Sequence, residues 1–409
     1  MRCTLISISF IILLSVFPQH AEAESFDAYV QKLEAHPQVG SILAEGLAHQ
    51  SMAEGEMGLP DPVFMIGVDN VPFSDPEFDR FLPSAKVIGF NQEIPNRGLR
   101  EAKAKKWQQM SKKQSLIAHY TKARLRYMLI VKLAEYDSIK TQKRHIKNQL
   151  AHYRELENSF KGQIESGRSV YQRFSEVDVE RAEAERKLNN LDAKQAMIEA
   201  AFVRLVEDVP DVKTPEVKNI VWDENADRLY PVMIAAEDIQ IAQKDIGVAD
   251  AAFLPNFGIN AVYKQREDVG NVSGDDWFSV QAQVSIPLWS SKNQKPKLNA
   301  AKYRERSAVL RHQDMKGLWI KKMTALKTAR DAAAKNIKVL KSKSWAMKKK
   351  IDAAQRNYES GSDNLDTILL AKIDRLNIKS RLAQTMADHA AKAAEFEAHI
   401  APISKGEQE

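Results

Sequence analysis

The sequence predicts a mainly helical protein with a small β part, a duplicated unit of helix, strand, strand and long helical hairpin. Three observations predict it. Glycine and proline are very unevenly placed, four short segments alternate apolar with polar residues, and a set of local motifs recurs at an offset of about 194 residues.

The helices follow from where the breakers are missing. Leu99 to Lys161 contains neither Gly nor Pro, Arg168 to Val209 is likewise free of both, and Lys297 to Ala401 contains only Gly317 and Gly361. A run of about 60 residues at roughly 1.5 Å per residue spans roughly 90 Å, far beyond an ordinary globular helix. Within these runs the apolar stripe is narrow. Leu191, Ile198 and Leu205 repeat at heptad spacing and Leu188 and Phe202 complete the seam, which predicts coiled-coil packing.

The repeat pairs His36-Pro37 with Tyr230-Pro231, Leu59-Pro60 with Leu254-Pro255, Ile94-Pro95 with Ile286-Pro287, and Glu165-Ser166-Gly167 with Glu359-Ser360-Gly361. It divides the chain into a first unit, 24–206 (strands near 61–69 and 86–94, helical hairpin 98–206), a linker, 207–227, and a second unit, 228–401 (strands near 256–264 and 277–286, helical hairpin 294–401). A tail, 402–409, follows.

Residues 1–23 read as a secretory signal: Arg2, an apolar stretch from Thr4 to Phe17, then Ala21-Glu22-Ala23 as the cleavage site. That stretch is shorter than the roughly 20 residues of a membrane-spanning helix, and no later segment reaches that length without charges. If the exported chain crosses a membrane, it does so with strands. The only cysteine, Cys3, lies inside the signal, so the mature chain has no disulfide and no thiolate ligand. The formal charge of +6 is spread over helical runs such as Lys103 to Lys113, which read as solvated faces, and export argues against a nucleic-acid partner.

The strands give the chain its directionality. Trp277 to Ile286 sets Phe278, Val280, Ala282, Val284 and Ile286 against Ser279, Gln281, Gln283 and Ser285; Asn256 to Lys264 alternates Phe257, Ile259, Ala261 and Tyr263 with residues that include Asn260. In the first unit Phe64, Ile66 and Val68 form one apolar face, and Ile88, Phe90 and Ile94 another that Gln92 interrupts. A soluble antiparallel sheet with one buried face gives the same alternation. The strands are, however, about 9–10 residues long, as tilted membrane strands need, and the helices look committed to coiled coils. On that reading Phe64, Ile66, Val68, Ile88, Phe90, Ile259, Phe278, Val280 and Val284 face lipid, and Asn260, Ser279, Gln281, Gln283 and Ser285 face a lumen. Four strands close no barrel, and open edges are not tolerated in hydrocarbon. Three copies supply about twelve strands, above the roughly eight of the smallest membrane barrels. The polar, acidic segments Pro72 to Pro83 and Glu267 to Asp276 read as loops facing the outside.

Gly58-Leu-Pro-Asp-Pro62, Val68-Asp-Asn-Val-Pro72, Gly89-Phe-Asn-Gln-Glu-Ile-Pro95 with Gly98, Phe253-Leu-Pro-Asn-Phe257 and Ser285-Ile-Pro-Leu288 resemble the TolC-like outer-membrane efflux proteins, in particular their heavy-metal efflux branch. The resemblance covers nearly all of the mature chain. It implies a homotrimer in the outer membrane of a Gram-negative bacterium: a β-barrel with four strands per protomer, continued by a trimeric α-barrel that holds most of the chain in the periplasm. It also implies a passive exit duct, its substrate leaning toward metal ions. An inner-membrane transporter of the proton-driven resistance-nodulation-division type feeds it through a periplasmic adaptor. The adaptor-docking tips map onto Gly167, Arg168, Ser169 and Gly361, Ser362, Asp363, where glycine also permits the sharp reversal and Ser or Asp can cap the next helix. A periplasmic gate maps near Asp366 and Asp374, although Thr367 and Leu370 stand where the family's acidic pair is expected and a solvated helix face also accounts for both Asp residues.

No phosphate-binding loop, H-x-x-x-H pattern or nucleophile elbow is present, so the sequence predicts no catalysis and no bound cofactor or metal. A periplasmic coiled-coil adaptor or scaffold without a pore is the alternative. Such adaptors carry one hairpin flanked by small β-domains, whereas here each of two hairpins follows a strand pair.

Overall fold

The computed structural model describes residues 25–402 except 75, 218 and 219. The signal assigned to 1–23 lies outside the described residues, as does the tail 402–409 apart from its first residue. The chain runs α1 (Phe26–Glu34), α2 (Pro37–Gly55), β1 (Val63–Asp69), β2 (Ala85–Ile94), α3 (Arg97–Glu165), α4 (Tyr171–Val206), α5 (Tyr230–Ala251), β3 (Asn256–Gln265), β4 (Trp277–Ser285), α6 (Gln294–Glu359) and α7 (Leu365–Ala398), with a 3-10 turn at Ala226–Arg228. The fold is mainly helical with a small antiparallel sheet, as the sequence predicts.

The breaker-free runs become α3 and α6, of 69 and 66 residues, each about 100 Å long. They organise the rest. Toward the sheet, α2 packs on α3 while α5 lies between α3 and α6; at the far end α4 packs on α3 while α7 lies between α3 and α6. The result is a helical layer four across, α2–α3–α5–α6 above and α4–α3–α7–α6 below. Its two long edges are α2 with α4 on one side and α6 on the other. The apolar seam of α4 faces inward: Leu191, Ile198, Phe202 and Leu205 are buried, and Phe202 meets Tyr136 of α3 edge to face at 5.7 Å.

The segment between the units crosses this layer. Thr214 donates to Asp137 of α3 through its backbone N–H (3.0 Å) and its hydroxyl (2.7 Å), and Arg330 of α6 donates to the Ile220 carbonyl (3.3 Å). Trp222 packs against Phe396 in a second core with Leu229, Trp319 and Met323.

His399, at the end of α7, lies beside that core, with Nδ1 2.9 Å from the Tyr120 hydroxyl and the Trp319 ring at 4.6 Å. Burial first, and nearby Lys322 second, push its pKa down from 6.5 to about 4. Between those values the unfolded chain binds a proton that the folded chain does not, so stability conferred by neutral His399 is complete above about pH 6.5 and is lost as the pH falls toward 4. Chemical denaturation at stepped pH checks this: His399→Phe flattens the dependence within that window.

The sheet has the order β1-β2-β3-β4 with every pair antiparallel. Each unit contributes one hairpin, and the β2–β3 pairing joins them. The junction is built around Asn96, which is buried. Its Oδ1 accepts from Leu99 N–H (2.6 Å) to cap α3, its backbone N–H donates to Asn256 Oδ1 (2.9 Å), and its Nδ2 reaches the Ala251 carbonyl (3.3 Å). Asn96→Ala removes the cap and leaves buried partners unpaired, costing about 2–3 kcal/mol, which urea unfolding followed by circular dichroism measures.

Candidate channel wall and helical tips

Cross-strand register sorts the strand residues into two faces, because directly paired residues project to the same side. Phe64 pairs with Phe90, Phe90 with Ala261 and Ala261 with Val280; Ile66 pairs with Ile88, Ile88 with Tyr263 and Tyr263 with Phe278. Val68, Ile259 and Val284 share this side, so all nine residues assigned to lipid from the sequence lie on one face. Asn260 pairs with Gln281, and Ser279, Gln283 and Ser285 lie with them on the opposite face. The apolar face is open: Ile66 is 87%, Phe278 71% and Val280 61% exposed, and no helix packs over the sheet among the described residues. Gln92, the interruption, lies toward the helical end and donates to the Pro60 carbonyl (2.8 Å). The outer edges of β1 and β4 pair with nothing among the described residues.

Both hairpin loops emerge at one end of the sheet, where Lys86 pairs with Glu267 (2.9 Å) and Lys264 with Asp69. The long helices all leave from the other end. No helix is long and apolar enough to cross a membrane among the described residues. Those residues also assemble no group of three His, Cys, Asp or Glu side chains that could hold a metal ion.

The two helical tips have the same geometry. Gly167 has φ +84° and Gly361 φ +74°. Gly167 N–H donates to Ile164 O and Arg168 N–H to Gln163 O, both at 2.9 Å; Gly361 N–H donates to Tyr358 O (3.0 Å) and Ser362 N–H to Asn357 O (2.8 Å). Each is a Schellman stop, in which a left-handed glycine lets two amides close the last helical turn. The helices that follow start alike. Both α4 and α7 begin without a side-chain cap, so neither Ser169 nor Asp363 does what its position suggests, although Asp363 accepts from Asn364 N–H and the Thr367 hydroxyl. Arg168, Ser169 and Ser362 are exposed.

Near the tips, Asp366 is only 3% exposed and its Oδ2 meets Arg173 Nη1 of α4 at 3.0 Å. This ion pair ties the first turn of α4 to the first turn of α7, across 193 residues of sequence. Asp374, two turns further along α7, is exposed. It contributes to the rise of the Tyr153 hydroxyl pKa to about 12, behind burial and Glu180.

Residues 232–397 match the family model described as outer membrane efflux protein. Its second unit thus carries an outer membrane efflux protein domain. No curated protein sequence matches the chain, but solved structures match along nearly its whole length. CusC is 11% identical with a TM-score of 0.74, covering 92% of both chains. VceC from Vibrio cholerae is 13% identical with a TM-score of 0.71, covering 92% of this chain and 96% of that one. The open state of the MtrE outer membrane channel from Neisseria gonorrhoeae is 14% identical with a TM-score of 0.75, covering 91% of this chain and 88% of that one. At such identities these likenesses carry the TolC-like fold and nothing finer.

Proposed function

We propose that this protein is the outer-membrane exit duct of a tripartite efflux system, passively conducting substrate to the cell exterior, and that it works as a homotrimer. The observation that carries the reading is the open-edged four-stranded sheet with an uncovered apolar face. In hydrocarbon each unpaired backbone group on β1 and β4 costs several kcal/mol, and three copies pairing edge to edge supply about twelve strands and remove both edges. The apolar face then meets lipid and the face carrying Asn260, Ser279, Gln281, Gln283 and Ser285 lines the bore. The helical layer continues the bore through the periplasm.

The matched Schellman turns, Gly167 to Ser169 and Gly361 to Asp363, present exposed backbone with Arg168, Ser169 and Ser362 at the far end, where a periplasmic adaptor docks. That adaptor connects the duct to a proton-driven inner-membrane transporter of the resistance-nodulation-division type. The Arg173–Asp366 pair holds the periplasmic mouth narrow, while Asp374, exposed two turns further along α7, lies on a solvated helix face. The motifs shared with the heavy-metal branch favour metal ions as cargo, with the pump setting the final choice.

Membrane fractionation and planar-bilayer recording test the core of this reading. The expected result is protein in the outer membrane and discrete conductance steps. Protein confined to the soluble periplasm, with no conductance, overturns it.

A further inference from the structure

Near the tips the two edges of the helical layer carry opposite charge at matching heights. From Lys335 to Arg356 the sequence of α6 has eight basic residues and one acidic residue, Asp352, and none of those basic side chains makes an ion pair among the described residues. So many like charges on successive turns destabilise a helix unless something neutralises them. Ile351 and Ala354 face α7, and helical periodicity puts Lys338, Trp345, Lys349 and Arg356 on the side turned away from it. Trp345 is 60% exposed, with the Lys349 ammonium 3.7 Å from its ring centroid.

The other edge is α4. Val177 and Ala184 belong to the core shared with α3, leaving Val179 turned outward and Glu176, exposed, and Glu183, half-buried, on its flank, within a stretch, 176–185, that holds five acidic residues and a single arginine; Arg186 and Lys187, just beyond, pair with Glu183. Hydrogen bonding from Arg186 keeps the Glu183 carboxyl down at about 2, so it is ionised throughout the physiological range. Glu176 makes no ion pair within the described chain; it accepts only from Gln172 (3.0 Å). Measured from the tips at about 1.5 Å per residue, Glu176 stands about 8 Å up α4 and Arg356 about 5 Å up α6; Glu183 stands about 18 Å up and Lys349 about 15 Å.

We propose that the α6 edge of one copy docks on the α4 edge of a second copy through a charge seam. In it, Glu176 faces Arg356 and Glu183 faces Lys349. This rests on the trimeric reading above and adds to it the partner of each edge, the register and the force. Sealing the wall near its periplasmic end is then an electrostatic task, sensitive to salt because the screening length falls from about 8 Å at 0.15 M to about 3 Å at 1 M.

Paired cysteines test it in the full mature chain, which has no cysteine of its own once the signal holding Cys3 is removed. Glu183→Cys with Lys349→Cys is compared, after oxidation in detergent, with Glu183→Cys and Lys321→Cys, whose α6 site lies about 42 Å higher. The expected result is covalent trimer from the matched pair only, forming about tenfold more slowly in 1 M salt. A protein that is trimeric by light scattering but unlinked by the matched pair, or linked as fast by the distant pair, overturns the seam and leaves the trimer standing. Linking at a rate indifferent to salt overturns its electrostatic basis. A stable monomer overturns the trimeric reading itself. Glu176→Lys with Arg356→Glu keeps a pairing in reversed sense and restores the low-salt trimer that either change alone weakens; failure of that rescue also counts against the seam.

Discussion

Val280→Arg lowers the stability of the membrane-inserted assembly by about 2–4 kcal/mol, while Gln281→Arg, one residue along, leaves it nearly unchanged. Val280 lies on the row Phe64–Phe90–Ala261–Val280, in the middle of the apolar face, which meets lipid in the proposed duct, where a guanidinium has neither water nor an acceptor. Gln281 pairs with Asn260 on the opposite face, which lines the bore in the proposed duct, so an arginine there stays in water. Urea dissociation of the reconstituted protein reads the first effect. The second appears as a shift of the reversal potential toward anion selectivity, since three copies place three new positive charges around one pore. Equal tolerance of both substitutions contradicts the assignment of the faces.

The fold class was legible because its signals are local. A run without glycine or proline needs no partner to declare itself, and a period-2 alternation in β4 is visible whatever it pairs with. The pairing of β2 with β3 left no such mark: it joins segments about 170 residues apart, and the group that anchors the junction, Asn96, looks in sequence like an ordinary N-cap. Nor did the sequence show that the segment after α4 crosses the layer through Thr214 and Asp137, or that α1 packs against α3 and α4. The tips stood out because only glycine easily adopts the φ they require, yet Ser169 and Asp363 looked like caps and neither α4 nor α7 begins with a side-chain cap. The Arg173–Asp366 contact was hidden for the same reason as the β2–β3 pairing: each residue is unremarkable in its own helix.

Arg173→Ala raises the open probability of the channel about tenfold, and Asp374→Ala leaves it unchanged. Arg173 stands in the first turn of α4, where the helix dipole disfavours a cation by roughly 0.3–1 kcal/mol; Asp366 stands in the first turn of α7, where the dipole favours an anion. The pair offsets the cost at α4, and holds the two helix starts together only while both members are present. Asp366 is almost wholly buried, with Oδ1 unpartnered among the described residues, so Arg173 supplies its only counter-charge at 3.0 Å. Removing the arginine leaves a buried carboxylate whose cheapest relief is hydration, reached by letting the start of α7 swing away from α4. A shift of about 1.4 kcal/mol in that equilibrium is tenfold in population, within the roughly 0.5–3 kcal/mol coupling that residues in direct contact show. A double-mutant cycle in planar bilayers isolates the pairwise part: Arg173→Ala and Asp366→Asn each open the channel, and the double variant opens it no further than the stronger single one. Additive effects, or open probabilities equal to the unmodified channel's in all three variants, remove the pair from any role in closing the mouth.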